Sequence, residues 1–217
     1  MPSPEVVNRR ELKTRARAWP SAIARFLARA GITPNGVSVA SIVFAAMSWL
    51  AYARVRDGWP ALWLVVAAAG IQLRLLCNML DGLLAIEGGL KSKTGDLYNE
   101  IPDRVADVMI LLGAGLAAIG MPWATTLAWS AALLAVLTAY VRLLGGSFGF
   151  KQDFTGPMAK QHRMFTLTVG TLAAAIEVSI RGSTWSLYVA LWVIAVGSAV
   201  TLVRRVVRIA RLLESRG

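Results

Sequence analysis

Five oxygen-bearing side chains recur at helical spacings where two apolar stretches of the chain meet. Asn78 and Asp81 are three residues apart at the end of one stretch, and Asn99, Asp103 and Asp107 follow at intervals of four where the next begins. Residues three or four apart share one face of an α-helix, so each set forms a stripe. Carboxylate and amide oxygens are the ligands that Mg²⁺ and Mn²⁺ prefer. We therefore expect two neighbouring helices to bring the stripes together as a divalent-metal site.

The composition indicates that these helices lie in a membrane. The 217 residues are 56% hydrophobic and only 16% charged, whereas soluble proteins average about 25% charged residues. Crossing a bilayer takes roughly 20 mostly apolar residues. The sequence thus predicts an all-α integral membrane protein with six transmembrane helices, at 36–53, 60–80, 105–120, 123–143, 165–180 and 185–203.

The Lys and Arg residues indicate how the chain is oriented. Most of them lie in residues 1–35, in the loops 84–104 and 145–164 with their edges, and after residue 203, whereas the short turns carry only Arg54, Arg56 and Arg181. By the positive-inside rule both termini and both long loops are cytoplasmic. The net charge of +11 is then mainly a topology signal and argues against nucleic-acid binding. We expect a multi-pass protein of the cytoplasmic (inner) membrane, with its active site facing the cytoplasm.

The N-terminal segment differs from the rest of the chain. Basic residues alternate with Ala, Trp, Ile, Phe and Leu over residues 11–31. This pattern is typical of an amphipathic helix lying on anionic headgroups; the alternative is a positive segment that only sets orientation. We divide the chain into a cytoplasmic juxtamembrane amphipathic helix, 1–35, and a six-helix transmembrane catalytic domain, 36–217.

Helix capping is the simplest alternative explanation of the polar stripes. Asp103 is favourable near a helix N-terminus, and Pro102 suits the first turn of a helix that begins near it. Capping alone explains neither the presence of two stripes nor the Asp81-Gly82 pair. We therefore favour a functional site.

Residues 78–103 resemble the signature of the CDP-alcohol phosphotransferase family, D-x-x-D-G-x-x-A-R-x₈-G-x-x-x-D-x-x-x-D. The Thr-Pro-Asn entry to the first predicted span, at residues 33–35, is also similar to the family. The signature is matched at Asp81, Gly82, Ala85, Gly95 and Asp103, and it is departed from at Asn78, Ile86 and Asn99, where the family has Asp, Arg and Asp.

The resemblance implies a transferase of phospholipid biosynthesis. Such enzymes move a substituted phosphoryl (phosphatidyl) group from a CDP-linked donor, commonly CDP-diacylglycerol, to an alcohol and release CMP. Divalent metal ions neutralise charge on the reacting phosphates, and the fourth Asp is the general base. The residues implied are Asp103 as catalytic residue, Asn78, Asp81, Asn99 and Asp103 as ligands of Mg²⁺ or Mn²⁺, and Gly82, Ala85, Gly95 and Lys160 around the donor or its phosphates. The helical spacing adds Asp107 to the metal ligands, and the cations Arg74 and Arg163 are placed near enough to meet phosphate.

The departures leave two interpretations. The two Asn lower the formal charge of the motif from −4 to −2, although Glu100 and Asp107 could restore negative charge and Arg74 or Arg104 could meet phosphate. The chain is either a divergent enzyme or an inactive relative that serves as a lipid- or nucleotide-binding membrane subunit. We favour the enzyme because Asp81 and Asp103 are retained. A small transporter fits less well, since the polar residues cluster on one side of the membrane.

Two further expectations concern the second long loop and the oligomeric state. Lys160, similar to a lysine that the family often has after a glycine, and Arg163 predict an anion site for an acceptor phosphate or a lipid headgroup; the alternative is positive-inside anchoring. The sequence leaves the acceptor alcohol open. The small residues of segment 113–120 permit close helix contact, and the family commonly pairs as a homodimer; contact within the monomer is the alternative.

Overall fold

A computed structural model describes residues 18–216 except 91 and 119. In that part of the chain there are seven α-helices and no strand, which confirms the all-α prediction. Residues 1–17, which hold part of the predicted amphipathic segment, lie outside the described residues. The helices are α1 (Ala18–Arg29), α2 (Pro34–Ala53), α3 (Pro60–Glu87), α4 (Gly95–Ala117), α5 (Ala124–Ser147), α6 (Lys160–Arg181) and α7 (Trp185–Glu214), with a 3₁₀ turn, Arg54–Arg56, after α2.

Five of the described helices are long and apolar enough to cross a membrane, namely α2, α3, α5, α6 and α7. The chain is therefore a multi-pass membrane protein. The sixth predicted span lies in α4, which falls outside this set because its first half is charged. That half contains Asp96, Glu100, Asp103 and Arg104, and Asp107 follows it directly. The sixth crossing stays a prediction.

The helices that carry the polar stripes are longer than their apolar stretches. α3 continues to Glu87, and α4 begins at Gly95 rather than near Pro102. The expected helix start at Pro102 is thus wrong: Asp96 lies in the first turn, where a negative charge favours the helix N-terminus, and Pro102 lies inside the helix. The polar residues therefore stand on regular helix, and the connection between α3 and α4 is short.

The bundle is held together by pairwise helix contacts through small residues. α2 packs against α3 and α4, α3 against α6, α4 against α5, and α7 against both α5 and α6. Gly115 lies so close to Ala128 that a Cβ atom there would stand 2.4 Å from the alanine methyl, and Gly113 lies against Trp49. These glycines belong to the series considered for a dimer contact, and both make their close contacts within the monomer.

α1 presents three different faces. Ala24 is buried, and Leu27 packs with it against a cluster on α2 and α3 that includes Cys77 and Leu80. On the opposite side Trp19, Ile23 and Phe26 are exposed, and Arg25 and Arg29 form the third side. The face with Ala24 and Leu27 thus contacts the bundle, whereas the face with Trp19, Ile23 and Phe26 is not covered by the described helices.

The close approach of α2 and α3 gives a stability prediction. A Cβ atom at Gly70 would stand 2.3 Å from the Ser48 hydroxyl and 2.8 Å from the Phe44 carbonyl oxygen. Gly70→Val should therefore force the helices apart and cost about 1–3 kcal/mol. Ala69→Val puts the same side chain on the adjacent exposed position and should change the unfolding midpoint in detergent little. Equal midpoints for the two variants would contradict this packing.

Candidate active site

Two buried carboxylates of α4 meet one arginine of α3. Asp103 and Asp107 are 4% and 0% exposed, and Arg74 is 0% exposed. Nη2 of Arg74 donates to Oδ1 of Asp107 at 2.6 Å and to Oδ1 of Asp103 at 3.2 Å. The arginine therefore bridges the two carboxylates and connects α3 to α4.

α6 supplies a cation to the second oxygen of each carboxylate. Nζ of Lys160 donates to Oδ2 of Asp103, and Nη2 of Arg163 donates to Oδ2 of Asp107 at 2.8 Å. Nη1 of Arg163 also donates to the Met158 carbonyl at 3.3 Å. Three helices thus converge on one buried ion network, and both carboxylates have a cation on each oxygen.

Asp81 has a different environment. It is 6% exposed, and its Oδ2 accepts a 2.6 Å hydrogen bond from the Ser38 hydroxyl of α2. In the described part of the chain no Lys or Arg forms an ion pair with it. Sequence reasoning missed Ser38, whose one signal is a hydroxyl one turn after Pro34 in an apolar segment. Asp81 is thus the one of these three carboxylates that a further cation would suit.

The Thr-Pro-Asn entry places the first turn of α2 against this end of the site. The Thr33 hydroxyl accepts a hydrogen bond from the Gly36 amide at 3.1 Å and caps the helix. Nδ2 of Asn35 donates to the Ser92 hydroxyl at 3.3 Å, in the connection between α3 and α4. This entry therefore starts the helix that carries Ser38 and contacts the connection between α3 and α4.

The other predicted site residues take no part in the hydrogen bonds and ion pairs described above. Asn78 is half-buried on α3, and its Nδ2 has no hydrogen-bond partner among the described residues. Asn99 is exposed on α4, and Glu100 is occupied by Arg142 of α5 at 2.5 Å. Among the hydrogen bonds of the described residues, none joins either Asn to Asp81 or Asp103. Of the predicted donor contacts, Ala85 is buried and Gly82 half-buried on α3, and Gly95 is the first residue of α4.

The segment before α6 is fixed by α7. Nη1 of Arg205 donates to the Thr138 carbonyl at 2.7 Å, and its Nη2 donates to the Thr155 carbonyl at 3.1 Å. The Thr201 hydroxyl accepts from the Met158 amide at 3.0 Å. Sequence reasoning read Arg205 only as part of a basic tail. Its hydrogen bonds hold the chain that leads into Lys160.

Asp153 anchors the same loop from outside the spanning helices. Burial raises its pKa, but hydrogen bonds from Thr155 and the ion pair with Arg208 at 3.0 Å outweigh this, so the pKa of Asp153 lies below its usual value. Arg208 is 61% exposed in this pair. The pair is therefore a surface contact, unlike the network around Asp107.

The oxygen atoms that could bind a divalent metal ion lie at one end of the site. No three or more His, Cys, Asp or Glu side chains among the described residues are grouped to hold one ion, and the oxygens of Asp103 and Asp107 already face cations. Asp81 lies one turn from Asn78, whose amide end lacks a partner. Because the N and O of an amide are interchangeable by rotation, Asn78 can offer an oxygen beside the Asp81 carboxylate. These residues fit Mg²⁺ or Mn²⁺ at the Asp81 end.

Comparison with known proteins decides the family. No family model matches the chain. Phosphatidylinositol phosphate synthase of Mycobacteroides abscessus is 31% identical over 191 residues, which cover 84% of this chain and 80% of the relative. The chain belongs to the CDP-alcohol phosphotransferase family. It is accordingly an enzyme of phospholipid biosynthesis that transfers a phosphatidyl group from a CDP-linked donor to an alcohol.

Solved structures agree with the fold of this CDP-alcohol phosphotransferase. Phosphatidylinositol phosphate synthase of Mycobacterium tuberculosis, in complex with manganese and citrate, superposes with a TM-score of 0.73 at 22% identity, covering 88% of each chain. The same protein with CDP-DAG bound gives a TM-score of 0.71 at 21% identity, covering 88% of this chain and 92% of that one. At this identity the match supports the helical architecture.

The buried network of the CDP-alcohol phosphotransferase gives a second stability prediction. Asp107→Asn should destabilise the protein by about 3–5 kcal/mol, because Arg163 is left as a buried charge without its carboxylate. Asp153→Asn makes the same change in the surface pair with Arg208 and should cost about 0–1 kcal/mol. The unfolding midpoints in detergent compare them. Similar midpoints would show that Asp107 does not neutralise the buried arginines.

Proposed function

We propose that the protein transfers a phosphatidyl group from CDP-diacylglycerol to an alcohol acceptor, with Asp103 as the general base and CMP as the leaving group. The observation that carries the proposal is the position of Asp103, at the meeting point of α3, α4 and α6 with Arg74 and Lys160 on its two oxygens. Catalytic carboxylates need a fixed orientation towards the proton they accept. The CDP-DAG complex of the Mycobacterium tuberculosis relative supports the choice of donor.

The chain's own residues supply the acid–base step. The cations around Asp103 hold the direction of its carboxylate, and its remaining lone pairs can accept a proton from the acceptor hydroxyl. Loss of that proton makes the acceptor oxygen a nucleophile for phosphorus. Arg104 lies 3.5 Å from Oδ2 of Asp103 and is partly exposed. It is the cation that would contact a substrate phosphate at this end of the site.

The donor pyrophosphate is proposed to bind at the Asp81 end. Asp81 and Asn78 would hold Mg²⁺ or Mn²⁺ there, and such an ion offsets phosphate charge and orients the leaving group. Asn99, which stands at the third position of the signature, is near enough in sequence to Asp103 to contribute an oxygen from α4. We assign Asp107 a different part from the one its spacing implied: both of its oxygens are engaged by arginines, so it acts as their counter-ion. The family's metal dependence and the manganese complex support the ion.

The acceptor is proposed to carry a phosphate of its own. The relative from Mycobacteroides abscessus is a phosphatidylinositol phosphate synthase, and the base Asp103 pairs with Lys160 at the start of α6, three residues before Arg163. Cationic side chains next to the base would select a phosphorylated alcohol over a neutral one. Inositol phosphate and glycerol phosphate are the two acceptors to compare with neutral inositol and serine.

The surroundings of the site suggest its orientation. We propose a sixth span in α4, a cytoplasmic site, and an α1 whose exposed Trp19 and Phe26 lie in the headgroup region. The concentration of Lys and Arg at the site end of the helices supports this orientation. We also propose a homodimer, because members of the family commonly form one.

Replacing the base should separate turnover from binding. Asp103→Asn should lower CMP release from CDP-diacylglycerol by about 10²–10⁴-fold, since it removes a general base. Binding of CDP should stay within a few-fold of the unchanged protein. Asp57→Asn, an exposed substitution in the turn at the opposite end of the helices, should leave both quantities unchanged.

Two outcomes of that assay would contradict the proposal. The first is that Asp103→Asn releases CMP as fast as the unchanged protein. The second is that the unchanged protein releases no CMP with any of the four acceptors, which would leave a donor-binding protein instead of a transferase.

The orientation is tested by thiol labelling in intact cells, in a Cys77→Ala background. Single cysteines at Lys93 and Ser147 should react only after the membrane is permeabilised. Single cysteines at Arg56 and Thr125 should react from outside. All four positions are exposed. Labelling of Lys93→Cys from outside would place the site on the side of the membrane opposite to the one proposed.

A further inference from the structure

The three buried carboxylates differ in where their positive charge comes from. Asp103 and Asp107 each have a side-chain cation on both oxygens. Asp81 has a hydroxyl, from Ser38, and no ion pair with any described residue. Positive charge is therefore built into one end of the site and missing from the other.

Arg74 is the residue that creates this difference. It lies within the membrane-spanning helix α3 and is fully buried, which is costly for a cation unless carboxylates surround it. Its Nη2 bridges Asp103 and Asp107, while its Nε and Nη1 have no partner among the described residues. Arg74 also lies one helical turn from Asn78, where the family signature has a carboxylate. The chain thus has one anionic group fewer on α3 and a cation beside the gap.

We propose that the site binds one divalent cation per chain, at Asp81, and that Arg74 and Lys160 supply at Asp103 the positive charge that a second ion would otherwise bring. The inference rests on the proposed function and concerns its metal requirement. A divalent ion at Asp103 would have to share the carboxylate with a guanidinium and an ammonium group already in contact with it. Repulsion between like charges at this separation in a poorly hydrated site disfavours that arrangement. Arg74 is then a positioning residue, acting through Asp103.

Counting bound ions tests the proposal without reference to turnover. The full-length protein in detergent, with CDP present, is titrated with Mn²⁺, and free Mn²⁺ is read by electron paramagnetic resonance. We expect one ion per chain, no ion in Asp81→Asn, and one ion in Asp103→Asn. Two ions in the unchanged protein, or loss of the ion in Asp103→Asn alone, would overturn the proposal. Size-exclusion profiles and helical circular dichroism identify variants that fail to fold, and for those the count in the unchanged protein decides.

A matched pair of substitutions tests the part given to Arg74. Arg74→Lys keeps the charge and should keep one ion. Arg74→Gln removes it, so Asp103 should accept a second Mn²⁺, and the Mg²⁺ concentration for half-maximal CMP release should rise by about tenfold or more, the equivalent of one 1.4 kcal/mol step. A purely structural arginine would give the same ion count and the same Mg²⁺ dependence in both folded variants. That result would overturn the proposal.

The two proposals fail in different ways. One bound Mn²⁺ without CMP release from any acceptor would reject the transferase mechanism and leave the ion assignment standing. CMP release accompanied by two bound ions would keep the transferase and reject the assignment.

Discussion

The structure depends on the neutralisation of carboxylates that lie inside a bundle of apolar helices. An ionised Asp that is removed from water costs several kcal/mol unless it is paired and hydrogen-bonded. Asp107, fully buried, meets this requirement through Arg74 of α3 and Arg163 of α6. Because neither arginine can leave without exposing a bare charge, the pairs fix α3, α4 and α6 relative to one another. Because Asp103 lies one turn earlier on α4, the same ion pairs also set its position relative to α3 and α6.

The same constraint explains how a divergent signature remains workable. Two of the four signature positions are Asn, so the chain has less negative charge to offer metal ions than the signature has. Side-chain cations nevertheless meet two of the three buried carboxylates: Asp103 and Asp107 pair with Arg74, Lys160 and Arg163. Fixed side-chain cations need no recruitment from solution, and they hold the proposed base in one direction. The sequence changes at Asn78 and Asn99 are thus consistent with a site in which protein charge does part of the work of metal charge.

The sequence indicates which residue types gather at this site, but it does not indicate which of them touch one another. Helical spacing grouped Asp81 and Asp103 with their neighbours, and hydropathy located the spanning helices, because both signals are local. The hydrogen bond from Ser38 to Asp81 joins residues 43 positions apart in the chain, and helical spacing carries no information about such a pair. Asn99 shares the predicted stripe but is exposed, although it lies only one helical turn before the buried Asp103.

The helix ends were misjudged for a related reason. Apolar content marks where lipid or protein core surrounds a helix. α4, however, begins seven residues before Pro102, in polar sequence. Arg205 likewise looked like one of several basic residues in a tail, although it donates to the Thr155 carbonyl in the loop before α6 and to the Thr138 carbonyl of α5. The contacts of Arg205 are tertiary, and a single sequence does not display them.

The central claim is that the ion network around Asp107 acts as one unit that sets the site, and a double-mutant cycle measures this directly. Arg163→Met and Asp107→Leu are made singly and together, and the unfolding midpoint in detergent and the rate of CMP release are recorded for each. The account predicts strong coupling: Asp107→Leu leaves Arg163 without its carboxylate and Arg163→Met leaves Asp107 with Arg74 alone, whereas the double variant removes both members of the pair and loses clearly less stability than the sum of the two. Losses that simply add would show that the two side chains act independently, and would contradict the account.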